Sequence, residues 1–192
     1  ARAERARWEA RRDALAQTLT PSDGTASFME AKGSMGDLPS GVHVDAGYEN
    51  AIAQLLFPFS DALVMDTHEH AWENVRDADE RGQGQVRFLI ADCAATNRKP
   101  APLEGIPGKW ARDAVTSERF SALLDVLLDG AWVSQTIEEA RIAIARPEIE
   151  CVATARGDLV TNSSVLVAGE ESASPLALRA QYEDCLLYTS DA

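Results

Sequence analysis

Of the residues with the chemistry to act as ligands, bases or nucleophiles, few stand in a grouping that such chemistry needs. His68-Glu69-His70 has the composition of a metal site. On a helix, residues two apart lie about 200° around the axis, so His68 and His70 could not close on one ion. Zinc-binding helical pairs use i and i+4 instead. A solvated first helical turn is the ordinary reading, and Glu69 there also suits the helix dipole. His43 stands alone in a short apolar stretch, where a hydrogen-bonded or exposed histidine is commoner than a catalytic base. Arg81-Gly82-Gln83-Gly84 resembles the start of a phosphate loop, but a strand follows it, whereas dinucleotide loops follow a strand and open a helix. Asp77, Asp79 and Glu80 lack the length and regularity of an EF-hand loop and read as a charged, solvated face. Trp72, Trp110 and Trp132 are dispersed, and Trp132 sits among apolar residues as in a core rather than on a base-stacking platform. Cys93, Cys151 and Cys185 are odd in number and form no CxxC pair, which predicts reduced, partly buried thiols. Ser, His and Asp residues form no local catalytic signature. The residues therefore predict no catalytic, cofactor-binding or metal site.

The 192 residues are 45% hydrophobic and 26% charged, enough for one domain or two small ones. A net charge of −13 disfavours strong nonspecific nucleic-acid binding, although Arg2, Arg5, Arg7, Arg11 and Arg12 make the first dozen residues basic. No apolar run approaches the ~20 residues that span a bilayer, and no basic-then-apolar leader opens the chain. These absences predict a cytoplasmic protein without membrane contact. The start at Ala1 reads as a piece of a longer chain.

The pattern predicts a helix over 1–19, rich in Ala, Arg, Glu and Leu, stopped by Thr20-Pro21-Ser22-Asp23-Gly24. Residues 25–46 read as irregular, with a short strand at Val42–Val44. An amphipathic helix follows in GYENAIAQLL, residues 47–56, with Tyr48, Ala51, Ile52, Leu55 and Leu56 apolar. Asp61–Met65 reads as a buried strand. Thr67 caps a helix through Val75, and Val86–Ile90 forms another strand. Residues 92–109, with three prolines and two glycines, are the clearest linker. A second run then repeats the plan: a helix over Ser117–Leu128, a strand at Ala131–Val133, a helix from the Thr136 cap through Ile144, and a strand at Glu150–Thr154. Gly157-Asp158 turns the chain into paired strands at Leu159–Val160 and Val165–Val167.

A shift of 69 aligns the two runs without a gap over residues 53–75, matching Ala53 to Ala122, Leu55 to Leu124, Val64 to Val133, Thr67 to Thr136 and Glu69 to Glu138. Shared order and matched residues predict an internal duplication.

The order of GYENAIAQLL, DALVMDTHEHAWENV, GQVRFLIA, FSALLDVLL, TIEEARIAIA, ECVATARGDLV and VAGEESASPLAL resembles the flexible hinge of structural maintenance of chromosomes (SMC) proteins of the bacterial condensin type. The Gly-Tyr-Glu helix start and the Thr-x-x-Gly-Asp turn are the most diagnostic pieces. Two features depart from that pattern. The last strand closes on Ala168-Gly169-Glu170 rather than a Gly-Gly-Ser segment, and the turn Asn162-Ser163-Ser164 has no glycine.

The resemblance implies an α/β (α+β) fold of two pseudo-symmetric subdomains with small mixed sheets flanked by helices. Residues 1–20 would end one coiled-coil arm, 21–91 form subdomain one, 92–109 link it to subdomain two at 110–174, and 175–192 begin the returning arm. It implies a homodimer, with Gly157, Asp158, Val165, Leu166, Val167 and Gly169 at the contact. It also implies weak DNA contact through Arg87, Arg98, Lys99, Lys109 and Arg112. ATP, magnesium and accessory condensin-type subunits would belong to head domains outside this piece, which itself would be no enzyme, and the parent would associate with the nucleoid. The residues also leave open a duplicated α/β ligand-binding domain or enzyme with a cleft between its halves.

Overall fold

The computed structural model describes residues 23–83, 85–94, 101 and 103–169. The expected coiled-coil helices lie outside these residues, as do Arg98, Lys99 and Cys185. A single helical turn, Asp23–Ala26, opens the described chain.

Each half is built on two parallel strands joined by a crossover helix. In the first half, β3 (Leu63–Met65) pairs in parallel with β4 (Phe88–Ile90), and α2 (His68–Glu80) connects them. The strand β1 (Ser34–Asp37) adds antiparallel on the other side of β3, giving the order β1-β3-β4. In the second half, β7 (Ala131–Ser134) pairs in parallel with β8 (Cys151–Thr154) across α4 (Ile137–Ala143). There β5 (Lys109–Trp110) flanks β7 antiparallel, as β1 flanks β3. The second sheet then continues beyond β8 with β9 (Leu159–Thr161) and β10 (Val165–Leu166), in the order β10-β9-β8-β7-β5. Two further short strands, β2 (His43–Val44) and β6 (Val115–Thr116), pair antiparallel and stitch the halves together.

The crossover helices start where the sequence places their caps. The Thr67 side chain accepts from His70 N–H, and Thr136 with Glu139 forms a reciprocal capping box. Beyond its expected end at Val75, α2 runs five residues further. Arg81, its C-cap, grips Asp77 at 2.7 Å one turn back, and Gly82 turns away at φ +59°. The helix expected from Ser117 begins at Ser121 (α3, Ser121–Leu127). The Ser117 Oγ instead accepts from Phe120 N–H at 2.9 Å, just after the β6 ladder. Three strands escaped the sequence reading, among them the two-residue β6 just before the expected helix. β1, Ser-Met-Gly-Asp, has no alternating pattern, and β5 lies at the end of the presumed linker, with Trp110 directly opposite Trp132.

The duplicated plan stands, but the ungapped shift of 69 fails over the first helix, α1 (Glu49–Leu56). Tyr48 and Phe120, 72 residues apart, open α1 and α3 with nearly the same backbone (φ −117°, ψ 5° and φ −121°, ψ 23°). Buried Ala51, Ile52 and Leu56 then correspond to buried Leu123, Leu124 and Leu128. The three-residue difference is the 3-10 turn Phe57–Phe59, which the second half lacks.

The parallel centre of the second sheet, β7 and β8, is covered on both faces, so these two strands are apolar runs rather than alternating ones. Trp132, Val152 and Val160 pack with Ala140 and Ala143 of α4. Ala131, Val133 and Ala153 face the other way, into one cluster with Ala51, Ile52 and Leu56 of α1 and with Leu123 and Leu124 of α3. Thus α1, a first-half helix, serves the sheet of the second half.

Candidate functional site

The open end of the five-stranded sheet is the most distinctive surface of the molecule. Strand β10 is held on one side by β9, with Val165 opposite Val160 and Leu166 opposite Leu159. Among the described residues nothing pairs with its other side. Val165, Leu166 and Val167 are 62%, 48% and 64% exposed, three successive apolar side chains on a bare strand edge. Such edges are templates for another strand unless they are blocked.

The hairpin carrying this edge is built with care. At φ +100°, Gly157 suits a residue without Cβ, and its N–H donates to Thr154 C=O at 2.8 Å. Asp158 is 5% exposed, and its carboxylate works inside its own chain. Oδ2 accepts from Thr154 Oγ1 at 2.8 Å and Oδ1 from Ala168 N–H at 2.8 Å. Arg156 Nε lies 3.7 Å from the same carboxylate, and its Nη2 donates to Ala168 C=O at 3.0 Å. Asn50 of α1 donates to Ala155 C=O at 3.3 Å, bracing the turn from below. At the hairpin tip no glycine is needed. Thr161 Oγ1 accepts from both Ser163 and Ser164 N–H, a side chain closing the turn. Thr154, Arg156 and Asn50 were missed by sequence reasoning; the Thr-x-x-Gly-Asp spacing was the available signal for the first.

The other sequence candidates are scattered. His70 Nδ1 lies 2.6 Å from Asp66 Oδ1, and since a carboxylate only accepts, the imidazole donates. That bond holds the Asp66 carboxyl below its usual pKa. His68 is exposed on the first turn of α2, away from this pair. His43 lines an open cleft of about 540 Å³ at the β2–β6 seam with Ser40, Ser117, Glu118 and Arg119. Among the described residues no three His, Cys, Asp or Glu side chains gather as a metal site. Trp110 and Trp132 meet edge to face at 5.0 Å inside the core, their indole N–H groups donating to Ala101 and Pro107 carbonyls. Trp72 alone of the three is exposed.

Three of the five candidate DNA-contacting cations can be placed, each held by its own chain. Arg87 lies over the Phe59 ring at 5.6 Å. Lys109 pairs with Asp45 at 2.7 Å and covers Tyr48. Arg112 is half-buried, bonding Asp125, Val115 C=O and Ser121 Oγ, and so fastens β6 to α3.

This architecture has a counterpart among known proteins, for the profile of the SMC proteins' flexible hinge domain matches residues 31–144. The chain belongs to the SMC hinge family. This hinge is 31% identical over 180 residues to the chromosome partition protein Smc of Mycolicibacterium paratuberculosis, and 30% identical over 182 residues to that of Mycobacterium tuberculosis. Each match covers 91% of this chain and 15% of the relative, so the hinge spans a small part of those proteins' length. In fold it resembles the SMC hinge domain of Geobacillus stearothermophilus, solved as an asymmetric dimer, with a TM-score of 0.73 at 21% identity, covering 99% of this chain and 84% of that one. The Pyrococcus furiosus SMC hinge domain matches with a TM-score of 0.60 at 20% identity, covering 84% of this chain and 88% of that one. No helix of the described hinge is long and apolar enough to cross a membrane.

Proposed function

We propose that this hinge is a homodimerisation module, in which β10 of each copy adds to the first-half sheet of the other. The observation that carries this reading is the bare, apolar β10 edge, exposed at Val165, Leu166 and Val167. The duplication supplies the acceptor. In the second half, β9 covers the outer side of β8, whereas among the described residues nothing pairs with the corresponding outer side of β4. Strand addition draws affinity from main-chain hydrogen bonds and specificity from alternate side chains. Gly157, Asp158 and Gly169 shape the edge, and Val165, Leu166 and Val167 meet the partner.

The Smc relatives suggest the wider role. Two such dimerised chains would join long coiled-coil arms in a chromosome-partitioning protein of the cytoplasm and nucleoid, with ATP, magnesium and accessory subunits handled by head domains elsewhere. The hinge itself would carry no catalysis. Local DNA contact through Arg87, Arg98, Lys99, Lys109 and Arg112 is a secondary part of the proposal, and retention of duplex DNA that falls as salt rises is its signature.

Sedimentation equilibrium on the chain tests the main reading. A dimer at micromolar concentration is expected; a strictly monomeric species over that range overturns it.

A further inference from the structure

We propose that Asp158, assisted by Arg156, is a positioning residue that extends β10 to the length a second copy can use. This rests on the dimerisation reading above. The backbone ladder between β9 and β10 spans only two residue pairs. Continued, it would set Val167 opposite Asp158 and Ala168 opposite Gly157, and a Cβ on Gly157 would lie 3.6 Å from the Ala168 Cβ. At that point side chains take over from the ladder. The Ala168 N–H is bound by the Asp158 carboxylate and the Ala168 C=O by the Arg156 guanidinium.

The carboxylate cannot swing to another partner. It is buried, its second oxygen is bound by Thr154 Oγ1, and that hydroxyl oxygen in turn accepts from Asp158 N–H at 3.1 Å. Fixing Ala168 keeps Val167 in line with β10. Side chains two apart on a strand share a face, so Val165 and Val167 then stand together as one apolar surface. Without the brace the ordered edge would shrink from four residues, 165–168, toward the two of the ladder. A partner would have to order the remainder on binding, a cost worth about tenfold or more in Kd.

The test compares the wild-type chain with Asp158→Ala, Asp158→Asn and Arg156→Ala by sedimentation equilibrium, thermal melting and amide hydrogen exchange. Asp158→Ala is expected to weaken dimerisation about tenfold and to speed exchange at Ala168 while β7 and β8 stay protected. Asp158→Asn keeps an acceptor for Ala168 N–H and should recover most of the affinity. Arg156→Ala should weaken dimerisation about threefold at an unchanged melting temperature. A lowered melting temperature with wild-type Kd in Asp158→Ala would mark a purely structural role and overturn the proposal. Should that variant fail to fold, an unchanged Kd in Arg156→Ala overturns it instead. A monomeric wild type would defeat the dimer reading itself, a separate result from dimers indifferent to these substitutions.

Discussion

Val44 lies directly opposite Val115, the point where the two halves of the molecule touch strand to strand. Their strands occupy equivalent places, each ending five residues before its helix begins, and they pair antiparallel, as elements related by a twofold do. Gly41 runs beside this seam, and a Cβ there would drive into the Phe120 ring. Gly41→Ala should therefore destabilise the fold by about 1–3 kcal/mol, read as a lower urea midpoint at unchanged slope.

Val165→Lys and Val167→Lys should abolish dimerisation. Both side chains are exposed in the single chain, so the monomer's melting temperature should move little, while the charge would have to be buried against a partner. Light scattering and thermal melting on the same samples separate the two effects.

Arg112→Gln should cost about 1–2 kcal/mol of stability, because it removes a charged donor from Asp125 and leaves the Val115 carbonyl short of a partner. Measured well below its melting temperature, this variant should still retain less duplex DNA than the wild type, with a shallower salt dependence; a loss that vanishes there would remove Arg112 from the proposed contact.

The Asp66–His70 contact makes a signed pH prediction. The hydrogen bond from His70 lowers the folded-state pKa of Asp66, so its contribution is present above the unfolded value, about 3.9, and is lost as pH falls through the folded one. The stability gap between wild type and Asp66→Asn should be widest above pH 5 and should close toward pH 2. A gap that does not change with pH would show that the carboxylate's charge plays no part.

Burial raises the thiol pKa of Cys93 and of Cys151, keeping both neutral at pH 8. Iodoacetamide should label them slowly in the folded chain and rapidly in denaturant, as peptide mapping would report.

Helix and strand order was readable because Ala51, Ile52 and Leu56 repeat with helical spacing and because Thr67 and Thr136 announce their helices by caps that the structure uses. Strand β1 was not readable, since Ser34–Asp37 is chosen by its neighbour β3 rather than by its own pattern. The repeat offset was misread because Ala and Leu recur often enough in α1 and α3 to match in the wrong register, and it takes the helix starts and the burial in the fold to distinguish 69 from 72. At the edge, the exposed valines were legible as a strand. The internal duty of Asp158 was not, because a carboxylate beside glycine in a turn looks solvent-facing until the chain returns at Ala168 to meet it.

The crossing of α1 onto the other half's sheet has a consequence for how the molecule can be taken apart. Neither half owns a full set of covering layers, so each half alone would leave an apolar face wet. Severing the backbone between residues 94 and 101 should yield two fragments that are unstructured apart and regain one cooperative transition on mixing. The two similar halves are therefore not autonomous units set side by side: α1 shares one apolar cluster with the strands of the other half, and the pair is expected to fold as one.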